Sequence, residues 1–190
     1  MNRETAVIEL KETFRILNDD LNEIQNLYIE KPSGALHRAL IRAYSAFIEG
    51  TLYQLRQVAI HSAGSANAVF SAEELMLLKE LQVSLNKRGE IETKDNYERF
   101  LPMLLFTFKQ YVRVHGANFE PDTSVAGWVA MREFVKVRNL LMHPKSSNEL
   151  EIEKDSSSEI NKAVYWFHDT CLSMFSECSR ADEHYSHKDA

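Results

Sequence analysis

Glycine and proline are scarce in this chain, six and four of 190 residues. A β-sandwich or barrel places such residues at its many turns, and a phosphate-cradling loop needs clustered glycines. Neither a Walker nor a Rossmann glycine pattern occurs, and the shortage points to a mainly helical protein. Cysteine is scarcer still. The two present, Cys171 and Cys178, lie on what reads as one helix, and at ~1.5 Å rise per residue they stand ~10 Å apart, too far for a disulfide. A long hydrophobic run is also missing. The nearest approach is 100–108, which contains Pro102 and Thr107 and is half a bilayer span. Met1-Asn2-Arg3-Glu4 lacks the apolar stretch of a signal peptide. Nor is there an excess of positive charge: 22 Lys+Arg against 28 Asp+Glu gives −6, so any nucleic-acid site must be a local basic strip. The expectation is a cytoplasmic protein with reduced thiols and no membrane contact.

What is present suits one globular domain, with 44% apolar and 26% charged residues. Six helical segments are predicted. The first, 4–30, carries Val7, Leu10, Phe14, Leu17, Leu21, Ile24 and Tyr28 in a heptad stripe that either packs into a bundle or forms a dimer seam. The second covers 35–62. The third opens at Ser71-Ala72-Glu73-Glu74, a capping-box pattern, and is predicted to reach 86, with a polar loop at 87–94. The fourth spans 95–116, broken or kinked near Pro102 and closed by Gly116. The fifth starts at Asp122-Thr123-Ser124 and stops at His143, because proline at 144 disfavours helix in the residue before it. A polar loop covers 145–158, and the sixth segment runs from 156–159 to about 179. This gives an all-α, single-domain bundle over 1–180, with a frayed tail at 181–190.

The fifth segment carries the chemistry. At ~100° per residue, Arg132, Lys136, Asn139 and His143 share a strip ~60° wide. The remaining surface is mostly apolar, so the helix reads as buried nearly all round with one polar seam. Arg138 falls outside that seam, where the stripe of 128, 131, 135 and 142 calls for an apolar residue. A buried arginine is costly unless it meets a carboxylate, a phosphate or a subunit interface.

Arg138-Asn139-Leu140-Leu141-Met142-His143-Pro144-Lys145 resembles the signature of the HEPN superfamily, R-N-x-x-x-H within the looser R-x(4–6)-H. The motif ends a long helix in the C-terminal half and is followed by a polar loop and an amphipathic helix with Tyr165, Trp166 and Phe167. The resemblance implies a dimeric, metal-independent endoribonuclease that needs no cofactor, with two motifs lining one cleft. Such proteins often act as toxins, with an antitoxin partner, or in antiviral defence. It assigns Arg138 and His143 as catalytic and Asn139 as supporting. RNA, not DNA, is the expected substrate. Arg132, Lys136 and Lys145 are candidate phosphate contacts.

The chemistry is intelligible from the residues themselves. Metal-free RNA cleavage needs a base for the 2′-OH proton, an acid for the leaving 5′-oxygen and cations for the phosphorane. One histidine cannot perform both proton transfers at once, but a two-fold dimer supplies two. His143 ends a helix, where the dipole favours a cation, and Arg138 can fork onto a phosphate. Asn139, one turn before His143, can orient the ring or bind a phosphate oxygen.

Other features read as structural. Arg42, Ser45 and Glu49 share a polar face of the second segment, read as solvated, though the resemblance makes Glu49 a candidate ion-pair partner for Arg138. A second R-x(4)-H copy, Arg56 to His61, reads as surface helix-end residues. His168 and Cys171 have metal-ligand spacing, but Cys178 is too far to join them and no fourth ligand is evident, so no metal site is expected. The rival to the nuclease is a non-catalytic binding or regulatory protein on the same scaffold, or a plain helical adaptor.

Overall fold

The computed structural model describes residues 1–64, 69–95, 99–151 and 156–186. Six helices form in chain order: α1 (Arg3–Glu30), α2 (Gly34–His61), α3 (Ala72–Leu78), α4 (Phe100–Val114), α5 (Ala126–Met142) and α6 (Ser156–Ser186). A two-stranded antiparallel hairpin, β1 (Leu81–Leu85) and β2 (Ile91–Asp95), stands between α3 and α4. The predicted all-α, single-domain bundle is the architecture found. Among the described residues no helix is long and apolar enough to cross a membrane.

Local chemistry sets the helix ends. The Asn2 side chain accepts the Thr5 N–H at 2.8 Å to start α1, and the Ser33 hydroxyl accepts the Leu36 N–H at 3.2 Å to start α2. The capping box at Ser71 is complete: Ser71 Oγ accepts from the Glu74 N–H, and the Glu74 carboxylate accepts from the Ser71 N–H. Gly116, at φ 62°, supplies the left-handed residue after α4.

The heptad stripe of α1 packs inward. Leu10 and Leu21 are buried, and Val7, Phe14, Leu17, Ile24 and Tyr28 lie against the core. Phe14 meets Phe47 of α2 edge-on at 5.0 Å between centroids. Phe47 and Phe108 in turn pack on Phe167 of α6, at 5.8 and 5.9 Å, so one aromatic column links α1, α2, α4 and α6. A smaller cluster, Ala59, Phe70, Leu78 and Val114, holds α3 down.

Four boundaries differ from the sequence reading. The third helix ends at Leu78, and 81–95 forms the hairpin where helix and loop were expected. Its turn is built by Asn86, whose side-chain oxygen accepts the N–H groups of Arg88 and Glu90 at 2.8 and 3.0 Å, with Gly89 at φ 77°. The fourth helix therefore starts at Phe100 and runs through Pro102 unbroken. The first helical bond runs from the Met103 N–H to the Arg99 carbonyl, so the missing N–H of Pro102 falls in the first turn, where it has no acceptor. Asp122 caps a turn of its own, accepting the Ser124 N–H and hydroxyl at 2.8 and 2.6 Å, and Val125 precedes α5. The sixth helix continues to Ser186, beyond the tail predicted from 181; residues 187–190 lie outside the described residues.

Candidate functional site

α5 lies at the edge of the bundle, packed on α6 and α2. Ala130, Met131, Phe134 and Leu141 are its buried side chains. The opposite face is open, with Val129 and Leu140 exposed, and Met142 is exposed at the end of the helix. The helix is therefore not buried all round, because the bundle covers it on one side only.

Arg138 faces α2, where its Nη2 donates to Glu49 Oε1 in an ion pair across the helices. Its Nη1 donates to Asn139 Oδ1 at 2.9 Å. Its Nε–H is buried and meets no hydrogen-bond partner among the described residues. Asn139 thus orients the guanidinium, not the imidazole: its side chain is turned to Arg138, and only its backbone carbonyl reaches residue 143, accepting the His143 N–H at 3.1 Å. His143 is the C-cap residue, at φ −135° and ψ 57°, and its side chain is exposed. The Arg42–Ser45–Glu49 face of α2, expected in solvent, turns toward α5. Arg42 Nη2 donates to the Leu141 carbonyl at 3.4 Å, and Ser45 is buried, its hydroxyl on the Ile41 carbonyl at 2.9 Å.

Arg138 and His143 line one cleft of about 610 Å³. α2 contributes Glu49, Leu52, Tyr53 and Arg56, α4 contributes Phe100 and Met103, and the turn between α3 and β1 contributes Glu80. Together with α5 these elements give the cleft two arginines, two glutamates, one histidine and an apolar floor. Arg132, Lys136 and Lys145 do not line it. Arg132 and Lys145 are exposed, and Lys136 is paired on the surface with Glu133 at 2.8 Å, a contact worth a few tenths of a kcal/mol.

Two charged cleft residues escaped the sequence reading. Arg56 is not a surface residue; it is 6% exposed and forms a 3.0 Å ion pair from Nη2 to Glu80 Oε1. Burial pushes its pKa down while Glu80 opposes the shift. The signal was the spacing of Leu52, Arg56 and Ala59, which puts the arginine on the buried face of α2. Glu80 carried no local signal, because its role depends on a hairpin that was read as helix and loop. His61, the other half of that copy, is half-buried and does not line the cleft.

A second cavity of about 500 Å³ lies between α1, α4 and α6. At one end Asp182 meets His115 Nδ1 at 2.9 Å and Arg3 Nη2 at 3.0 Å. Burial, resisted by Asp182 and aided by Arg3, holds the His115 imidazole below its ordinary pKa. The tautomer that satisfies Asp182 places the proton on Nδ1, which leaves the buried Nε2 as an acceptor without a partner among the described residues. Cys171 and Cys178 are buried free thiols. Burial raises the pKa of both, that of Cys178 to about 12, so neither is a thiolate near neutrality. Among the described residues no three His, Cys, Asp or Glu side chains are grouped to hold a metal ion.

Comparison with protein-family models, with curated proteins and with solved structures gave no match.

Proposed function

We propose that this chain is a HEPN-type endoribonuclease that cleaves RNA without a metal ion, at a cleft completed by a second copy of itself. The observation that carries the reading is the convergence of Arg138 and His143 on one open cleft, with the Arg138 Nε–H buried and without a partner among the described residues. A phosphate oxygen is the natural acceptor for that donor. In this reading the His143 of one copy removes the 2′-OH proton as the 2′-oxygen attacks the adjacent phosphorus. The His143 of the other copy protonates the departing 5′-oxygen. Arg138 from each copy neutralises the pentavalent phosphorane, and Asn139 keeps Arg138 aimed. The products are a 2′,3′-cyclic phosphate and a free 5′-hydroxyl. DNA, lacking the 2′-hydroxyl, is not cut.

In this reading Arg132 and Lys145, exposed outside the cleft, contact the RNA backbone, and Lys136 joins them once released from Glu133. The exposed Val129 and Leu140 on the same helix suit a homodimer interface. A cytoplasmic toxin held by an antitoxin partner, or an antiviral effector, is the setting this activity fits.

The test is incubation of the purified protein with mixed RNA in excess EDTA. The wild type is expected to cleave and to sediment as a dimer. His143→Ala and Arg138→Ala are each expected to lose at least 100-fold in rate, the lower range for one general acid–base group or oxyanion-type donor. Equal inertness of wild type and variants across varied RNAs, with RNA still bound, would instead favour a non-catalytic binding protein.

A further inference from the structure

The Arg56–Glu80 pair sits in the same cleft as Arg138 and His143 but has no part in the cleavage step. Arg56 is almost wholly buried, whereas the side chain of its partner Glu80 is 40% exposed. Burying a guanidinium against a single half-solvated carboxylate is a poor stabilising device, because desolvation offsets most of the attraction. The backbone adds a second cost. Glu80 has φ 54°, the only non-glycine residue with positive φ among those described. It follows the C-cap of α3, a position where glycine or asparagine is usual because a Cβ in this region crowds the following carbonyl oxygen. A residue that is strained and half-exposed, yet carries the countercharge of a buried arginine, is suited to let go. Beside the pair stands Tyr53, 49% exposed, with its ring centroid 5.9 Å from the Arg56 guanidinium carbon.

Resting on the nuclease reading of this cleft, we propose that Arg56 is a second phosphate-binding residue for the RNA strand, that Glu80 is a counter-ion which the incoming phosphate displaces, and that Tyr53 stacks on the neighbouring base. The strand then runs from the scissile phosphate at Arg138 and His143 along α2 toward Arg56. Glu80 swings out from the turn before β1 as the phosphodiester takes its place, so one anion replaces another on the guanidinium and the buried charge stays paired. The carboxylate therefore opposes RNA binding, and the arginine and the tyrosine favour it.

The experiment measures binding of a short, fluorescently labelled single-stranded RNA of mixed sequence to the full chain carrying His143→Ala, over a salt series. Glu80→Gln is expected to tighten binding about tenfold at low salt, since it removes a competing charge. Arg56→Gln is expected to weaken it about tenfold, the low end for a charge-assisted hydrogen bond. The loss of one phosphate contact should also reduce the slope of log K against log salt by about 0.7, a signature that mere loosening of the fold does not produce. Tyr53→Ala is expected to weaken binding about fivefold with the slope unchanged, as stacking releases no counterions. If Arg56→Gln fails to fold, the solvent-accessible Glu80→Gln decides alone: unchanged affinity overturns the proposal. Binding that responds to Arg138→Gln but to none of the three subsite variants overturns this inference and leaves the nuclease reading standing. No RNA binding by the His143→Ala parent overturns both.

Discussion

Arg138 has two acceptors of different kinds, a charged one on another helix and a neutral one on its own. Glu49 fixes the guanidinium across the α2–α5 gap, and Asn139 fixes its rotation about the last bonds of the side chain. Losing Asn139 therefore misdirects the cation without removing it. Asn139→Ala is expected to lower RNA cleavage about tenfold, the value of one hydrogen bond to a charged group, with the melting temperature nearly unchanged. An effect as large as that of Arg138→Ala would show that the amide itself touches the substrate. At this scale the sequence was informative where chemistry is local. Arg138, Asn139 and His143 share one helix end, so spacing alone makes them neighbours. The contacts of Glu49 with Arg138 and of Arg56 with Glu80 are set between separate elements, and a polar face of α2 looks the same whether it meets water or the carbonyl end of α5.

At the scale of elements, the α5–α6 pair shows how closely two helices can be set by one missing side chain. A Cβ on Gly127 would lie 2.5 Å from Trp166 Cβ, and Trp166 is itself tethered by its Nε1–H to the Asp122 carbonyl at 3.0 Å. Gly50 is superficially similar, since a Cβ there would lie 2.6 Å from Leu17 Cδ1, but that atom is the far end of a flexible side chain. Both sites are helical, so alanine gains about 1 kcal/mol of helix propensity at each. Gly127→Ala is expected to destabilise by about 1–3 kcal/mol, because the clash is with an immobile atom, while Gly50→Ala is expected to be near neutral. Urea unfolding midpoints of the two variants check the contrast. Element type was legible where periodicity ran long, as in α1 and α2. It failed at 81–95, where five-residue strands offer only Leu81, Val83 and Leu85 in alternation, too short a signal to outweigh the helical pattern before it.

For the whole molecule, the N-terminal turn of α1 and the last turns of α6 are joined by Arg3, Asp182 and His115. This clasp is not legible in the sequence, since its members are far apart along the chain and Asp182 lies where a frayed tail is expected. Burial holds His115 below its unfolded pKa, and His37, buried beside Arg38, is shifted the same way. Between the two values of each histidine the unfolded chain binds the extra proton, so stability falls as pH falls. The contribution is fully present above about pH 6.5, the ordinary histidine value, and is lost as the pH drops through the lower folded values. Melting temperature is thus expected to decline from pH 7.5 to pH 5.5, and less steeply in His115→Gln. Equal slopes would remove His115 as a cause.

The proposed function stands or falls on the cleavage chemistry, because one His143 cannot make both proton transfers at once. The most direct measurement is the chemistry of the cut ends when purified wild-type protein acts on a defined RNA in EDTA, read by mass spectrometry. The expected ends are a 2′,3′-cyclic phosphate opposite a free 5′-hydroxyl, both absent with His143→Ala. A 3′-hydroxyl opposite a 5′-phosphate, or the same products from His143→Ala, would contradict it.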